Sequence, residues 1–142
     1  ISRDTFISLN EELDFVKNYI EVQSYILRPD FKFTLNIQPG IENILIPSMS
    51  IQILAENAIK HGLKGLERQQ NLTITVIKEN DITTITVEDN GRGFDSTKGS
   101  GNGLGMNIIR QTIAAVNKRS KKAKMDMDVQ VAKLKVLKHK RQ

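Results

Sequence analysis

The sequence predicts an α+β two-layer sandwich, with helices on one face of a mixed, mostly antiparallel sheet. Segments with apolar residues at helical spacing alternate with short segments of two-residue alternation. Two alternating runs flank the turn Glu79-Asn80-Asp81, a hairpin signature that makes part of the sheet antiparallel. The order of elements, α-β-α-β-β-loop-α-β, is that of helices layered on a sheet.

The first element is "SLNEELDFVKNYIEVQSYIL". Ser8 and Glu11 have the spacing of a capping box, and Leu9, Leu13, Val16 and Ile20 share one helical face. Pro29 ends this helix. "FKFTLNI" alternates Phe31, Phe33, Leu35 and Ile37 as a half-buried strand does, and Pro39-Gly40 closes it. "PSMSIQILAENAIKHGLKG" reads as a second helix, opened by Pro47 and ended near Gly62 or Gly65. "LTITVIKENDITTITVED" gives the hairpin. "GMNIIRQTIAAVNK" is expected to be a third helix, with Ile109, Ile113 and Val116 at helical spacing, and "MDMDVQV" a last strand.

A length of 142 residues is enough for one domain with its own core. With 39% hydrophobic and 26% charged residues, the composition is that of a folded chain. The absence of cysteine excludes a disulfide framework and a zinc ribbon, and suits a reducing compartment. The chain begins with Ile rather than Met, as a piece of a longer protein would. The net charge of +5 is uneven. Residues 118–142 carry ten Lys/Arg against Asp126 and Asp128, a net of +8, which leaves −3 for the other 117 residues. A nucleic-acid footprint would therefore rest on the tail alone, which has no aromatic residue for base stacking.

Six of the nine glycines (Gly91, Gly93, Gly99, Gly101, Gly103, Gly105) fall within fifteen positions. A hairpin at Asp89-Asn90-Gly91 would need a returning strand, and "RGFDSTKGSG" has no alternation. A Walker loop fails because Lys98 stands where its second glycine belongs. The dinucleotide fingerprint fails at Met106. What remains is a flexible loop, or a glycine-rich anion cradle where "GNGLG" enters the expected third helix. On the second helix Asn57, Lys60, His61 and Lys64 stand at i, i+3, i+4 and i+7, one polar stripe if the helix is regular. An amide oxygen beside these cations suits magnesium and phosphate, since Asn binds a hard cation without adding negative charge. A solvated face is the plainer reading of such a stripe.

In "LAENAIKHG", "DNGRGF" and "GNGLGMNIIRQ" the chain resembles, in correct order and spacing, the N box and two glycine boxes of the superfamily that contains gyrase, MutL and the sensor histidine kinases. The wording "ENAIKHG", the short lid between Phe94 and Gly101 and the preceding helix "EELDFVKNYIEVQSYIL" are similar to the LytS/YehU-type histidine kinases. The resemblance spans about residues 8–117. It implies a Bergerat-type sandwich over residues 1–131 with residues 8–27 as its leading helix, and it leaves 132–142 as a basic tail, expected to be mobile.

The resemblance further implies ATP and Mg2+ as ligands. Asp89 would accept from the adenine amino group, with Gly91, Gly93 and Phe94 close to the purine. Asn57 would hold magnesium, and Lys60, His61 and Lys64 would face the phosphates. Gly101, Leu104, Gly103 and Gly105 would contribute the phosphate loop. Glu56 matches the general base of ATP-hydrolysing relatives, although in the kinases the acceptor is a histidine rather than water. Together these imply the catalytic domain of a cytoplasmic portion of a membrane-anchored bacterial sensor, moving the γ-phosphoryl to a histidine on a dimerisation helix outside this chain. The parent would be a homodimer that signals to a response regulator. Neither His61, inside the N box, nor His139, in the tail, matches that acceptor. Where the family closes with a "GTxVxI"-like strand, this chain reads "AKLKVLKHKRQ". The alternatives are a nucleotide-binding interaction module, a serine kinase or ATPase of the same superfamily, and nucleic-acid binding through the tail.

Overall fold

Ser8 starts the first helix as its spacing predicts: its Oγ accepts from Glu11 N at 3.1 Å at the head of α1 (Leu9–Ser24). The computed structural model describes residues 6–91 and 108–116, and the backbone alone of residues 135–141. Two short strands that the sequence pattern does not announce, β1 (Phe6–Ser8) and β3 (Leu45–Pro47), pair antiparallel as a separate ribbon. Between them lies β2 (Lys32–Ile37). Helix α2 (Ser50–Asn57) begins three residues after Pro47 and runs into a π-helical turn, Ala58–Leu63, before the glycine at 65.

The main sheet adds β4 (Asn71–Glu79), β5 (Ile82–Asp89), β6 (Ile108–Val116) and β7 (Lys135–Arg141). Its order is β2-β4-β5-β6-β7; β2 and β4 are parallel and every other pair is antiparallel, as expected of a mixed sheet. The hairpin forms where the turn residues stand, with Glu79 opposite Ile82. Asn80 takes φ +58°, a left-handed conformation that Asn tolerates better than most residues. Leu72, Ile74 and Val76 of β4 and Ile85 and Val87 of β5 are buried in one core with Val16, Leu54, Ile59 and Leu63 of the helical layer.

Two expectations are overturned. The segment 105–118, expected to be a third helix, forms strand β6 over residues 108–116. Ile109, Gln111, Ile113 and Ala115 are buried in strict alternation, and Ile108, Thr112 and Val116 add the β-branched character that favours a pleated neighbour. Ile109 and Ile113 satisfy both periods, so spacing alone could not decide. The tail, expected outside the sheet, supplies β7, which pairs with β6 from Lys135 opposite Ala114 to Arg141 opposite Ile108. A lysine-rich strand suits the sheet's edge, where charge discourages further strands from adding. The expected strand at 125–131 and the lid at 95–100 lie outside the described residues.

The two helices run side by side in the same direction. Buried Glu12 of α1, 2% exposed, accepts from Met49 N and Ile51 N at 3.0 Å and from Gln52 N at 3.1 Å. It thereby satisfies the amide groups that open α2, where Met49 sits at φ +68° with no cap of its own. At the far ends buried Gln70 repeats the arrangement, donating to Leu63 O and accepting from Arg28 N, both at 2.7 Å. Glu12→Ala should therefore cost about 3 kcal/mol, since it leaves one buried and two half-buried N–H groups without a partner. The denaturant midpoint checks this, with Glu12→Gln expected to lose less.

Candidate functional site

Asp89, the last residue of β5, is buried at 4% exposure against the end of the π turn. A methyl group on Gly62 would lie within 2.8 Å of the Asp89 carboxyl carbon and both its oxygens, and one on Gly91 would strike the Gly62 carbonyl. Both positions therefore need glycine for space. Gly91 N donates to Asp89 Oδ1 at 2.8 Å and fixes the carboxylate. Burial still dominates its chemistry: desolvation raises the Asp89 pKa from 3.8 to about 6, with the Gly91 hydrogen bond pulling the other way. Asn90 anchors the segment. Its Oδ1 accepts from Asn71 N and its Nδ2 donates to Gln69 O, both at 2.8 Å, while Arg68 reaches Asn90 O.

Asn57, at the junction of α2 and the π turn, faces the sheet. Its Nδ2 makes a long 3.5 Å contact to buried Gln111 Oε1 on β6, which leaves the amide oxygen for another partner. Among the described residues no group of three His, Cys, Asp or Glu is placed to hold a metal. A magnesium ion here would rest on the Asn57 oxygen together with phosphate and water oxygens, and this cation commonly binds in that way.

The other members of the expected polar stripe go elsewhere. Glu56, Lys60 and Lys64 line a cavity of about 220 Å³ between the π turn and α1, with Tyr19, Ile26 and Ile59 among its other walls. Glu56 accepts from Gln52 Nε2 at 3.2 Å, and its charge adds to burial in raising the Tyr19 pKa. Exposed His61 lies on the π turn between Lys60 and Gly62. The structure thus brings Asn57, Gly62, Asp89 and Gly91 to the sheet side of the turn and places Glu56, Lys60 and Lys64 toward α1. Gly93, Phe94, Gly101, Gly103, Leu104 and Gly105 lie outside the described residues. Gly62 and Asn90 were missed as site-forming residues; the pairing of an "HG" helix end with a strand-ending "DNG" was the available signal.

The sequence profile described as "Histidine kinase-, DNA gyrase B-, and HSP90-like ATPase" matches residues 47–132. The sensor histidine kinase YesM of Bacillus subtilis is 36% identical over 111 residues, 76% of this chain and 19% of that protein. The sensor protein LytS of Staphylococcus haemolyticus is 34% identical over 97 residues, 68% of this chain and 17% of that protein. The chain therefore spans about a fifth of the length of these relatives. The solved catalytic domain of the histidine kinase ThkA is a partial likeness, with 18% identity, a TM-score of 0.45 and coverage of 61% of this chain and 58% of that one.

Burial of Asp89 has a measurable consequence. Because its folded pKa of about 6 lies above 3.8, the folded state holds the proton more tightly. Its contribution to stability is largest below pH 3.8 and is lost as pH rises through 6, about 3 kcal/mol in all at 1.36 kcal/mol per unit. Asp89→Asn should thus be more stable than the parent near neutrality, with the gap closing toward pH 4. Urea unfolding across that range checks it.

Proposed function

We propose, because this chain belongs to the histidine kinase-, DNA gyrase B- and HSP90-like ATPase family, that it is the ATP-binding catalytic domain of a sensor histidine kinase and passes the γ-phosphoryl to a histidine on another segment of the parent protein. The observation that carries this reading is the buried, glycine-enclosed carboxylate of Asp89. A fixed acceptor in a dry site recognises an amino group, as adenine presents, and rejects a base with a carbonyl at that position.

Asn57 would take the metal end, where a bound magnesium ion would neutralise phosphate charge. His61 stands beside Gly62 on the same turn and would face the phosphates. Lys60 and Lys64 would act through their field, since their side chains line the cavity toward α1. Gly93, Phe94, Gly101, Gly103, Leu104 and Gly105 would complete the purine and phosphate contacts. Glu56 is better read as part of the α1 face than as a base, given its Gln52 and Tyr19 neighbours. Phosphoryl transfer asks mainly for such positioning and charge stabilisation. The acceptor helix, a homodimeric parent, a response regulator and a cytoplasmic position below a membrane anchor belong to this proposal. Among the described residues no helix is long and apolar enough to cross a membrane.

Titration with a fluorescent ATP analogue tests the base contact. Affinity should fall as pH drops below about 6, where Asp89 takes up a proton and becomes a weaker, uncharged acceptor. Asp89→Asn should bind about 10- to 100-fold more weakly at neutral pH, the loss of one hydrogen bond to a charged group. Unchanged affinity in that variant would remove Asp89 from the adenine site.

Asn57→Ala should abolish transfer from γ-labelled ATP to a supplied acceptor helix while adenosine binding stays within a few-fold of the parent. Parallel loss of both would make Asn57 structural.

A further inference from the structure

Gln111 is a buried amide that backbone pairing does not explain. It stands on the core face of β6, 2% exposed, between buried Ile109 and Ile113. An apolar residue would fill that place without losing hydration, so a buried amide there calls for a partner or a task. Two other buried polar side chains, Glu12 and Gln70, serve backbone groups. The Gln111 side chain serves none among the described residues. Its hydrogen bond is to Asn57, whose Nδ2 donates to Gln111 Oε1 at 3.5 Å.

Register places this amide beside the site. Gln111 lies opposite Val87 on β5, and Asp89, two residues on, lies opposite Ile109. Gln111 and Asp89 are therefore diagonal neighbours on one face of the sheet, a spacing that long side chains can span. Asn57 meets that face from the end of α2. An asparagine amide has two orientations, which exchange its oxygen and its nitrogen. A cation accepts one of them, since an N–H group repels it. By accepting from Nδ2, Gln111 Oε1 favours the orientation that leaves Asn57 Oδ1 for another partner. Bonds of this kind commonly start long and tighten as a ligand binds.

We propose that Gln111 is a positioning residue for the metal end of the site: it holds the Asn57 side chain with its oxygen turned outward for magnesium. It acts through Asn57, and the proposal rests on the reading of Asn57 as the magnesium ligand. A first measurement, on the intact chain alone, needs neither metal nor nucleotide. Nitrogen relaxation should show an ordered Asn57 side-chain amide in the parent. Gln111→Met keeps an unbranched chain but drops the acceptor, so the amide should become mobile. Gln111→Glu keeps acceptor oxygens and should restore the order.

A second measurement titrates magnesium against a fixed concentration of a fluorescent ATP analogue. Gln111→Met should need about three- to tenfold more magnesium for half-maximal binding, the worth of one hydrogen bond between neutral groups. Its affinity for adenosine, and for the analogue in the presence of a chelator, should stay at parental values. Asn57→Ala should remove the magnesium dependence, and adding Gln111→Met to it should change nothing further. A Gln111→Met chain with parental magnesium dependence or a parental Asn57 amide would overturn the proposal. So would a Gln111→Glu amide as mobile as that of Gln111→Met, or an added loss in the double variant. Equal loss of adenosine and ATP affinity would overturn it as well, by making Gln111 merely structural. If Asn57→Ala itself leaves the magnesium dependence intact, the metal reading fails and takes this proposal with it.

Discussion

The helical layer hangs on one buried carboxylate. Glu12 belongs to α1, yet its oxygens serve the amide groups of Met49, Ile51 and Gln52 at the head of α2. A helix start left buried without acceptors is costly, and Met49 at positive φ offers no side-chain cap. Supplying the acceptors from a neighbouring helix fixes where α2 begins and keeps it parallel to α1. With Gln70 clamping the opposite ends, the direction of the π turn is set, and with it the approach of Gly62 to the end of β5.

At that approach stability and the proposed recognition pull apart. Asp89 would cost less as a neutral amide, because ionising it in a dry site opposes folding above pH 6. The fold holds it there with the backbone donor Gly91 N and with walls of glycine backbone too close for any side chain. Such a residue is expected where an acceptor is reserved for a ligand, since strongly shifted, desolvated carboxylates gather at functional sites. Asn90 and Arg68 tie the β5 end to the segment before β4, which keeps the carboxylate from relaxing toward solvent.

Much of this was legible in the residues. The alternating runs gave β2, β4 and β5 with their hairpin, because polar and apolar faces there coincide with pleat geometry. The Ser8 cap and the apolar face of α1 were legible for the same local reason. The family boxes pointed to Asp89, Gly91 and Asn57. β6 was not legible, since Ile109 and Ile113 fit both a helical and a strand period and only burial of Gln111 and Ala115 at the alternate positions decides. Neither were β1 and β3, three residues each, whose pairing depends on a long return of the chain. Glu12 looked like one more surface acid in "NEEL", because its partners lie almost forty residues away in sequence.

The polar stripe failed for a different reason, and that reason bears on the site itself. Asn57, Lys60, His61 and Lys64 share a face only if every residue advances by the α-helical angle. From Ala58 the backbone widens, and Lys64 N bonds to Ile59 O, five residues back, at 2.9 Å. Each widened turn shifts the phase of the side chains that follow. Asn57, before the change, stays toward β6, while Lys60 and Lys64 come round to α1 and Gly62 lands on Asp89. A regular helix could not set an amide over the sheet and a glycine against the β5 end from the same stretch of residues without moving one of them. The π turn is therefore the device that lets one short element serve both the proposed recognition site on its inner side and a charged surface on its outer side, in keeping with where such turns concentrate.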